Sequence, residues 1–187
     1  MGSLTDRQKS IITGKLLGDG SLRKKKSTLL EINHSHKQED YVFWLYKELE
    51  NLVRTKPKIR KSGENRLSYR FTTLSHGSLN SFYEDFYGSS GRKQIPTTLK
   101  LDGLTLAVWF MDDGSKSYNT VYLNTQQFDK KNQEILKNFL FNKWNIKSTF
   151  NKDKKYLRLR IRVESIEKFK SLINPFIINS FRYKIPL

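Results

Sequence analysis

Apolar positions follow helical and strand-like spacing in the same order in both halves of the chain. Helical spacing predicts helices over residues 6–18, 38–53, 78–86, 103–112, 130–144 and 164–173. Alternating spacing predicts strands over residues 27–34 and 121–125 and hairpins over 58–73 and 146–163, with turns at 62–65 and 151–153. Each half therefore reads as helix, strands, helix, strands, helix.

The first helix carries a start signal and an unusual glycine stripe. Thr5 and Gln8 have the spacing of a capping box. Gly14 and Gly18 lie four residues apart on one face. Glycine costs about 1 kcal/mol inside a helix, so this stripe predicts a partner helix at close approach.

A flexible tetrapeptide separates the two halves. Gly88-Ser89-Ser90-Gly91 is the most linker-like stretch, and Arg92-Lys93-Gln94-Ile95-Pro96 is repeated in pattern by Arg182-Tyr183-Lys184-Ile185-Pro186. We predict one compact α+β unit of two halves, residues 1–95 and 96–187.

Charge indicates the class of partner. Lys and Arg number 35 against 18 acidic residues, a formal charge of +17, which favours a nucleic-acid partner. The charge is spread over the whole length, so we do not expect membrane binding. The chain has no cysteine and only three histidines, which argues against a structural zinc. We see no secretory or import signal in its first residues.

Two apolar helices end in Asp-Gly, ninety-four residues apart: Ile12 to Gly20 and Leu106 to Gly114. A carboxylate is unfavourable at the negative end of a helix, so the reading that each aspartate merely ends its helix is the weaker one. If the helices pack side by side, Asp19 and Asp113 form a two-carboxylate site. Such oxygens suit Mg²⁺ or Mn²⁺ and phosphodiester hydrolysis.

Other polar residues fall near these acids. Gly18 and Asp112 precede them, and we place both at the edge of the metal site, with Asp112 as a supporting or solvated acid. Lys93 and Lys184 could reach back from the end of each half to stabilise charge on a phosphate, although a solvated role is an even alternative. His34 is expected to have a local polar role rather than that of a general base.

Basic alternating strands provide a candidate DNA surface. Alternation places Arg158, Arg160 and Arg162 on one face of the last hairpin, opposite an apolar face that ends at Val163. The first half offers Arg66 and Arg70 on a strand, and Arg23, Lys24, Lys25 and Lys26 in a predicted loop. Gln126 and Gln127 are candidate base readers. An ordinary solvated sheet face is the alternative for any single strand.

The two motifs, the Val121-Tyr122-Leu123-Asn124-Thr125-Gln126 stretch and the terminal Tyr183-Lys184-Ile185-Pro186 resemble the LAGLIDADG homing endonucleases of the single-chain, two-motif type. Among these, the chain looks most like the omega-type enzymes encoded by mitochondrial group I introns. The resemblance covers nearly the whole chain. Val108 and Asp112 depart from it, because they stand where the second motif usually has small residues.

The resemblance implies the LAGLIDADG fold: pseudo-symmetric αββαββα halves, central motif helices, and saddle-shaped antiparallel sheets that straddle double-stranded DNA. It implies a monomer with Asp19 and Asp113 as metal ligands, Lys93 and Lys184 as active-site lysines, and Mg²⁺-dependent double-strand cleavage at a long site that leaves short 3′ overhangs. Mitochondrial localisation is also implied. Binding of intron RNA as a splicing maturase is the alternative function.

Overall fold

The computed structural model describes residues 3–24, 26–62 and 66–186. Both halves have the order αββαββα. In the first half the elements are α1 (Asp6–Leu17), β1 (Ser21–Lys24), β2 (Thr28–Ser35), α2 (Glu39–Glu48), β3 (Lys58–Ser62), β4 (Arg66–Thr72) and α3 (Gly77–Tyr87). In the second half they are α4 (Gly103–Asp113), β5 (Gly114–Ser117), β6 (Thr120–Leu123), α5 (Lys130–Trp144), β7 (Ser148–Asp153), β8 (Tyr156–Ile161) and α6 (Ile166–Ile173).

The two halves have matching sheets. The strand orders are β1-β2-β4-β3 and β5-β6-β8-β7, and all pairings are antiparallel. In each sheet one face is apolar and packs on the core, as Leu30, Ile32 and Phe71 do in the first and Leu123 and Leu159 in the second. The opposite faces carry the polar and basic side chains. This confirms the predicted α+β fold of two pseudo-symmetric halves.

The two motif helices, α1 and α4, pack against each other at the centre. Thr5 and Gln8 form the predicted capping box at the start of α1, and Asp102 caps α4 by accepting from the N–H of Thr105. A Cβ at Gly14 would lie 2.7 Å from Cβ of Val108. The glycine stripe of α1 therefore faces the larger side chains of α4, which explains how the helices approach closely despite Val108 and Asp112.

Two short strands were not predicted. Arg23 and Lys24 lie in β1, where the backbone pairs with Leu29 and Thr28, and not in a loop. Residues 114–117 form β5, the matching edge strand of the second sheet. Both edges carry polar side chains on both faces over only four residues, so no apolar alternation marks them. Lys25 lies outside the described residues, as do residues 63–65 of the predicted turn.

The last hairpin is shorter than predicted and turns later. Asn151 is still paired, opposite Arg158, and the turn lies between Asp153 and Tyr156, with Lys154 at φ 55°. β8 ends at Ile161, so Arg162 and Val163 do not continue the alternation. Val163 is 47% exposed, contrary to its expected place in the core, because the chain turns there into a short 3-10 segment.

No helix among the described residues is long and apolar enough to cross a membrane.

Candidate active site

The two motif aspartates line one cleft. Asp113 is the last residue of α4, and Asp19 follows the end of α1 by two residues. The cleft has a volume of ≈ 370 Å³ and is open to solvent. Its lining residues come from both halves: Gly18, Asp19, Gly20, Ser21, Lys93, Asp113, Asn124, Gln126 and Gln127.

Each predicted lysine returns to the motif of its own half. Nζ of Lys93 donates to the carbonyl oxygens of Gly18 (2.8 Å) and Gly20 (2.9 Å). Nζ of Lys184 donates to the carbonyl of Met111 (2.6 Å) and, at 3.4 Å, to that of Asp112. The two ammonium groups are therefore held at corresponding helix ends, although their sequence positions differ by one residue relative to the Ile-Pro pair.

The turn after α3 brings Lys93 to the cleft. Gly88 and Gly91 have φ values of 51° and 63°, a backbone conformation that favours glycine. The chain then runs back along α3, where the N–H of Gln94 donates to the carbonyl of Phe86. The linker-like stretch therefore forms a tight turn that directs Lys93 to the cleft.

Gln127 joins the two halves across the cleft. Its Nε2 donates to the carbonyl of Leu17 (2.9 Å) and to Oδ2 of Asp113 (3.1 Å), while its Oε1 accepts from Nζ of Lys93 (3.0 Å). The amide of Gln127, a candidate base reader from the sequence, is instead occupied by Asp113 and Lys93. It contacts the motif of each half.

Burial and like charge dominate the electrostatics of the cleft. Burial, followed by the charges of Asp19 and Asp112, raises the pKa of Asp113 to about 7. Burial and then the Asp112 charge also raise the pKa of Asp19. Burial lowers the pKa of Lys93 to about 8 and lowers that of Lys184 as well. The acids repel each other, and this repulsion favours any cation that enters between them.

The donor set suits a hard divalent cation. The cleft offers carboxylate oxygens from Asp19 and Asp113 beside backbone carbonyl oxygens such as that of Gly18. Mg²⁺ and Mn²⁺ take oxygen ligands and share their coordination with water and phosphate. Solvent access leaves room for such shared ligands, so the residues present fit the group that the sequence predicts.

Asp112 is not solvated. Its side chain has no exposed surface, and Lys15, also fully buried, forms an ion pair with it at 2.6 Å between Nζ and Oδ2. The hydroxyl of Tyr41 donates to Oδ1 at 2.8 Å, and the backbone N–H of Asp19 donates to Oδ2 at 3.0 Å. Both carboxylate oxygens of Asp112 thus have hydrogen-bond partners within the protein. Its position fits a supporting acid and not a solvated one.

His34 belongs to the same buried cluster. Its Nε2 lies 2.6 Å from Nζ of Lys15, and its Nδ1 lies 3.1 Å from Oε1 of Gln38. Burial, followed by the Lys15 charge, lowers the pKa of His34 to about 4. Ligand atoms of Asp19, His34 and Asp112 lie within 4.8 Å of one another, but the Lys15 ammonium already occupies that group. A local polar role suits His34 better than that of a general base.

The basic face of the first sheet lies on β1, β2 and β4. Glu31 of β2 pairs with Arg23 at 2.8 Å and with Arg70 at 2.5 Å, so one acid orders two guanidinium groups. Arg66 begins β4 and is exposed. Lys24 pairs with Glu84 of α3. These residues form one polar surface beside the cleft, except that Lys24 is turned toward a helix.

The second sheet has a matching basic face. The guanidinium of Arg158 lies 3.8 Å from the ring centre of Tyr122, and Arg160 is the strand partner of Tyr122. Gln126 donates to Oδ2 of Asp153 at 2.8 Å. Arg162 lies beyond the strand, where its Nε is 3.0 Å from the Glu164 carboxylate. The predicted surface therefore contains Arg158, Arg160 and Gln126, while Arg162 is at its margin.

Sequence reasoning missed three residues at the site: Lys15, Tyr41 and Gln127 in its present role. Lys15 lies within the predicted helix 6–18, and Tyr41 lies within the predicted helix 38–53. The available signal was a lysine on a helix between the apolar pairs Ile11-Ile12 and Leu16-Leu17, because a lysine buried among such residues requires a buried partner.

Known proteins are similar to this chain over most of its length. The pattern of the LAGLIDADG DNA endonuclease family matches residues 9–169. The chain is 32% identical over 205 residues to the cytochrome b mRNA maturase bI2 of Saccharomyces cerevisiae, covering 99% of this chain and 48% of that protein. The chain thus spans about half the length of the yeast maturase.

Two further relatives match over nearly their full length. The probable intron-encoded endonuclease 1 of Wickerhamomyces canadensis is 30% identical over 200 residues, covering 98% of this chain and 85% of that protein. The solved structure of the homing endonuclease I-WcaI bound to its DNA recognition sequence has a TM-score of 0.92 at 26% identity, covering 99% of this chain and 88% of that one. This protein therefore belongs to the LAGLIDADG DNA endonuclease family.

Proposed function

We propose that this protein is a site-specific homing endonuclease that makes double-strand breaks in DNA. The observation that carries the proposal is the meeting of Asp19 and Asp113 in one cleft beside two basic sheet faces. Lys93 lines this cleft, and Lys184 is held at the end of α4 by the carbonyl of Met111. The similarity to I-WcaI, which was solved bound to its DNA recognition sequence, supports double-stranded DNA as the partner. Both halves lie in one chain, so we propose that the monomer is sufficient.

Asp19 and Asp113 would hold a divalent cation, Mg²⁺ or Mn²⁺, and the backbone at Gly18 lies beside them. When bound, the cation would polarise the scissile phosphate and lower the pKa of a bound water. We do not assign Asp112 as a ligand, because Lys15, Tyr41 and the Asp19 amide use its oxygens.

The lysines and Gln127 supply the rest of the chemistry. With its pKa at about 8, Lys93 is mostly charged at neutral pH and can stabilise negative charge that develops on a phosphate. Lys184 would do the same in the other half. Gln127 fixes the Asp113 carboxylate and Lys93 relative to each other. A double-strand break requires cleavage of one phosphodiester bond in each DNA strand. The pseudo-symmetric halves offer one aspartate and one lysine for each of these two bonds.

Base recognition would come from the two basic sheet faces. Arginine can donate two hydrogen bonds to a guanine edge, and antiparallel strands fit the major groove. We propose Arg23, Arg66, Arg70, Arg158 and Arg160 for this surface, with Gln126 at its edge and Lys25 and Arg162 as phosphate contacts. Lys24 is left out because it pairs with Glu84 of α3. Glu31 and Tyr122 order three of these arginines before DNA binds.

The test is cleavage of a randomised double-stranded DNA library with Mg²⁺ and with EDTA, followed by sequencing of the ends. We expect metal-dependent, site-specific ends with short 3′ overhangs. Asp19→Asn and Asp113→Asn should abolish cleavage and leave DNA binding largely intact. Cleavage retained by either variant would remove that aspartate from the active site.

Binding of intron RNA is the second candidate function. It rests on the 32% identity with a protein named a cytochrome b mRNA maturase. If the chain has both activities, Asp19→Asn should lose DNA cleavage and keep splicing assistance. Tight binding to a group I intron RNA, with no DNA cut by the wild-type protein, would favour the maturase alone. Relatives named for cytochrome b mRNA and for introns support our proposal of a mitochondrial origin.

A further inference from the structure

The residue before the acid differs between the two motifs, and the difference is built into the helix pair. The first motif has Gly18 and the second has Asp112. A Cβ at Gly18 would lie 2.4 Å from Cβ of Asp112 and 2.5 Å from its Oδ2. The space left by the glycine is therefore filled by the Asp112 side chain, which crosses from the second motif to the first.

Both oxygens of Asp112 are used after this crossing. Oδ1 accepts from Nζ of Lys15 at 2.7 Å and from the Tyr41 hydroxyl at 2.8 Å, and Oδ2 accepts from the backbone N–H of Asp19 at 3.0 Å. A buried carboxylate is costly unless it is paired and hydrogen-bonded, and Lys15 supplies the countercharge. All three partners belong to the first half of the chain, whereas Asp112 belongs to the second.

We propose that Asp112 is a positioning residue that fixes the backbone of Asp19 and thereby the direction of its carboxylate in the cleft. The proposal rests on the proposed function, in which Asp19 binds the cation. Asp19 lies past the last residue of α1, where the N–H groups of Gly18 and Gly20 on either side return to the carbonyls of Gly14 and Lys15, while its own N–H donates across to Asp112. The acceptor on Asp112 completes the hydrogen bonding of this turn, and its ion pair with Lys15 holds it in place.

Asp19 and Asp113 are then positioned by different contacts. Gly18, the counterpart of Asp112, has no side chain to offer the second motif. Asp113 is the last residue of α4 and its carboxylate accepts from Nε2 of Gln127 at 3.1 Å. Loss of the Asp112 acceptor should therefore disturb Asp19 more than Asp113, and one DNA strand should be cut more slowly than the other.

Two double variants isolate the acceptor. Lys15→Met with Asp112→Asn removes both charges and keeps an oxygen that can accept from the Asp19 N–H. Lys15→Met with Asp112→Leu removes the charges and the acceptor at nearly the same side-chain size. Replacement of a buried ion pair by apolar residues of similar volume is often neutral for stability, so we expect both variants to fold.

The first measurement is amide hydrogen exchange of Asp19 by NMR, without DNA and in EDTA. Wild type and the asparagine variant should protect this amide, and the leucine variant should exchange it about tenfold faster, as expected for loss of one hydrogen bond. An unprotected Asp19 amide in the wild-type protein would overturn the proposal even if the variants failed to fold.

The second measurement is cleavage of a supercoiled plasmid that carries the target site. The leucine variant should accumulate nicked circles, with one strand cut about tenfold more slowly than the other, and the asparagine variant should yield mainly linear product. Asp102→Ala is the matched control, because Asp102 caps the far end of α4 and accepts from Ser10 of α1. It should lower the Tm without nick accumulation.

The outcomes separate the two claims. Equal strand rates in the leucine variant, or the same nick accumulation in Asp102→Ala, would overturn a positioning role for Asp112. If the wild-type protein cuts no DNA, the proposed function fails, and the exchange of the Asp19 amide still decides whether Asp112 holds that backbone.

Discussion

The Asp113→Asn substitution should stabilise the cation-free protein at high pH and change little at low pH. The pKa of Asp113 is raised from 3.8 to about 7 by burial and by the neighbouring acids. Because the folded state holds this proton more tightly than the unfolded state, the contribution of Asp113 to the unfolding free energy is greatest below about pH 4 and is lost as the pH rises through about 7. The asparagine variant lacks this ionisation and retains the hydrogen bond from Gln127.

The size of the effect follows from the shift. A rise of about three pKa units corresponds to about 4 kcal/mol, and the open side of the cleft screens part of it, which leaves about 1–3 kcal/mol above pH 7. For a chain of this length, that is a Tm increase of about 2–12 °C. Since the same two acids would bind a divalent cation, Ca²⁺ should raise the Tm of the wild type at pH 8 more than that of the variant.

The assay is thermal denaturation of both proteins in EDTA from pH 4.5 to 8.5. Asp129→Asn is a suitable control because the pKa of that exposed helix cap is lowered, chiefly by the hydrogen bond from the backbone of Asn132. It should therefore not stabilise the protein at any pH. A constant Tm difference between wild type and Asp113→Asn across this range would refute the raised pKa of Asp113 and the destabilisation reasoned from it.

Three other predictions concern packing, chemistry and binding. In denaturant titrations, Gly14→Ala should lower the unfolding free energy by about 2 kcal/mol, because the new Cβ would overlap the facing helix. Gly77→Ala should be neutral or slightly stabilising, because a Cβ there has nothing within 4 Å. Lys184→Met should reduce single-turnover cleavage about 100-fold or more while DNA affinity stays near that of the wild type; unchanged cleavage would exclude Lys184 from the chemistry. The logarithm of DNA affinity should fall with the logarithm of salt concentration by about 0.9 per neutralised phosphate. In a fluorescence anisotropy titration, Arg66→Ala should reduce that slope by about one. Lys168→Ala, on α6, should leave the slope unchanged.

The repeated pattern of the sequence was enough to predict the fold. Apolar spacing gave both motif helices within one residue, and α5 had the same bounds as predicted. The capping box at Thr5 and Gln8 was readable because its hydrogen bonds are local. The edge strands β1 and β5 were not, because they are held by backbone pairing with a neighbouring strand, and their own four residues show no alternation.

The candidate site divides in the same way. Asp19, Asp113, Lys93 and Lys184 could be named because each occurs in a repeated motif. Lys15 and Tyr41 could not, since their role depends on Asp112, which lies ninety-seven residues from Lys15 in the chain. Arg162 was expected on the strand face but lies beyond it, for a related reason. The last residue pair of β7 and β8 is Ser148 with Ile161, yet the alternation in the sequence runs on past Ile161.

The helix pair at the centre has two tasks that conflict. As a core element it would be best filled with apolar side chains, yet it carries the buried pair Lys15 and Asp112 and ends beside two acids that repel each other. If the polar cluster serves the cleft, the apolar double replacement should leave stability unchanged or increased while strand cutting becomes unequal. An equal loss of stability and of both cutting rates would instead identify the cluster as part of the packing alone.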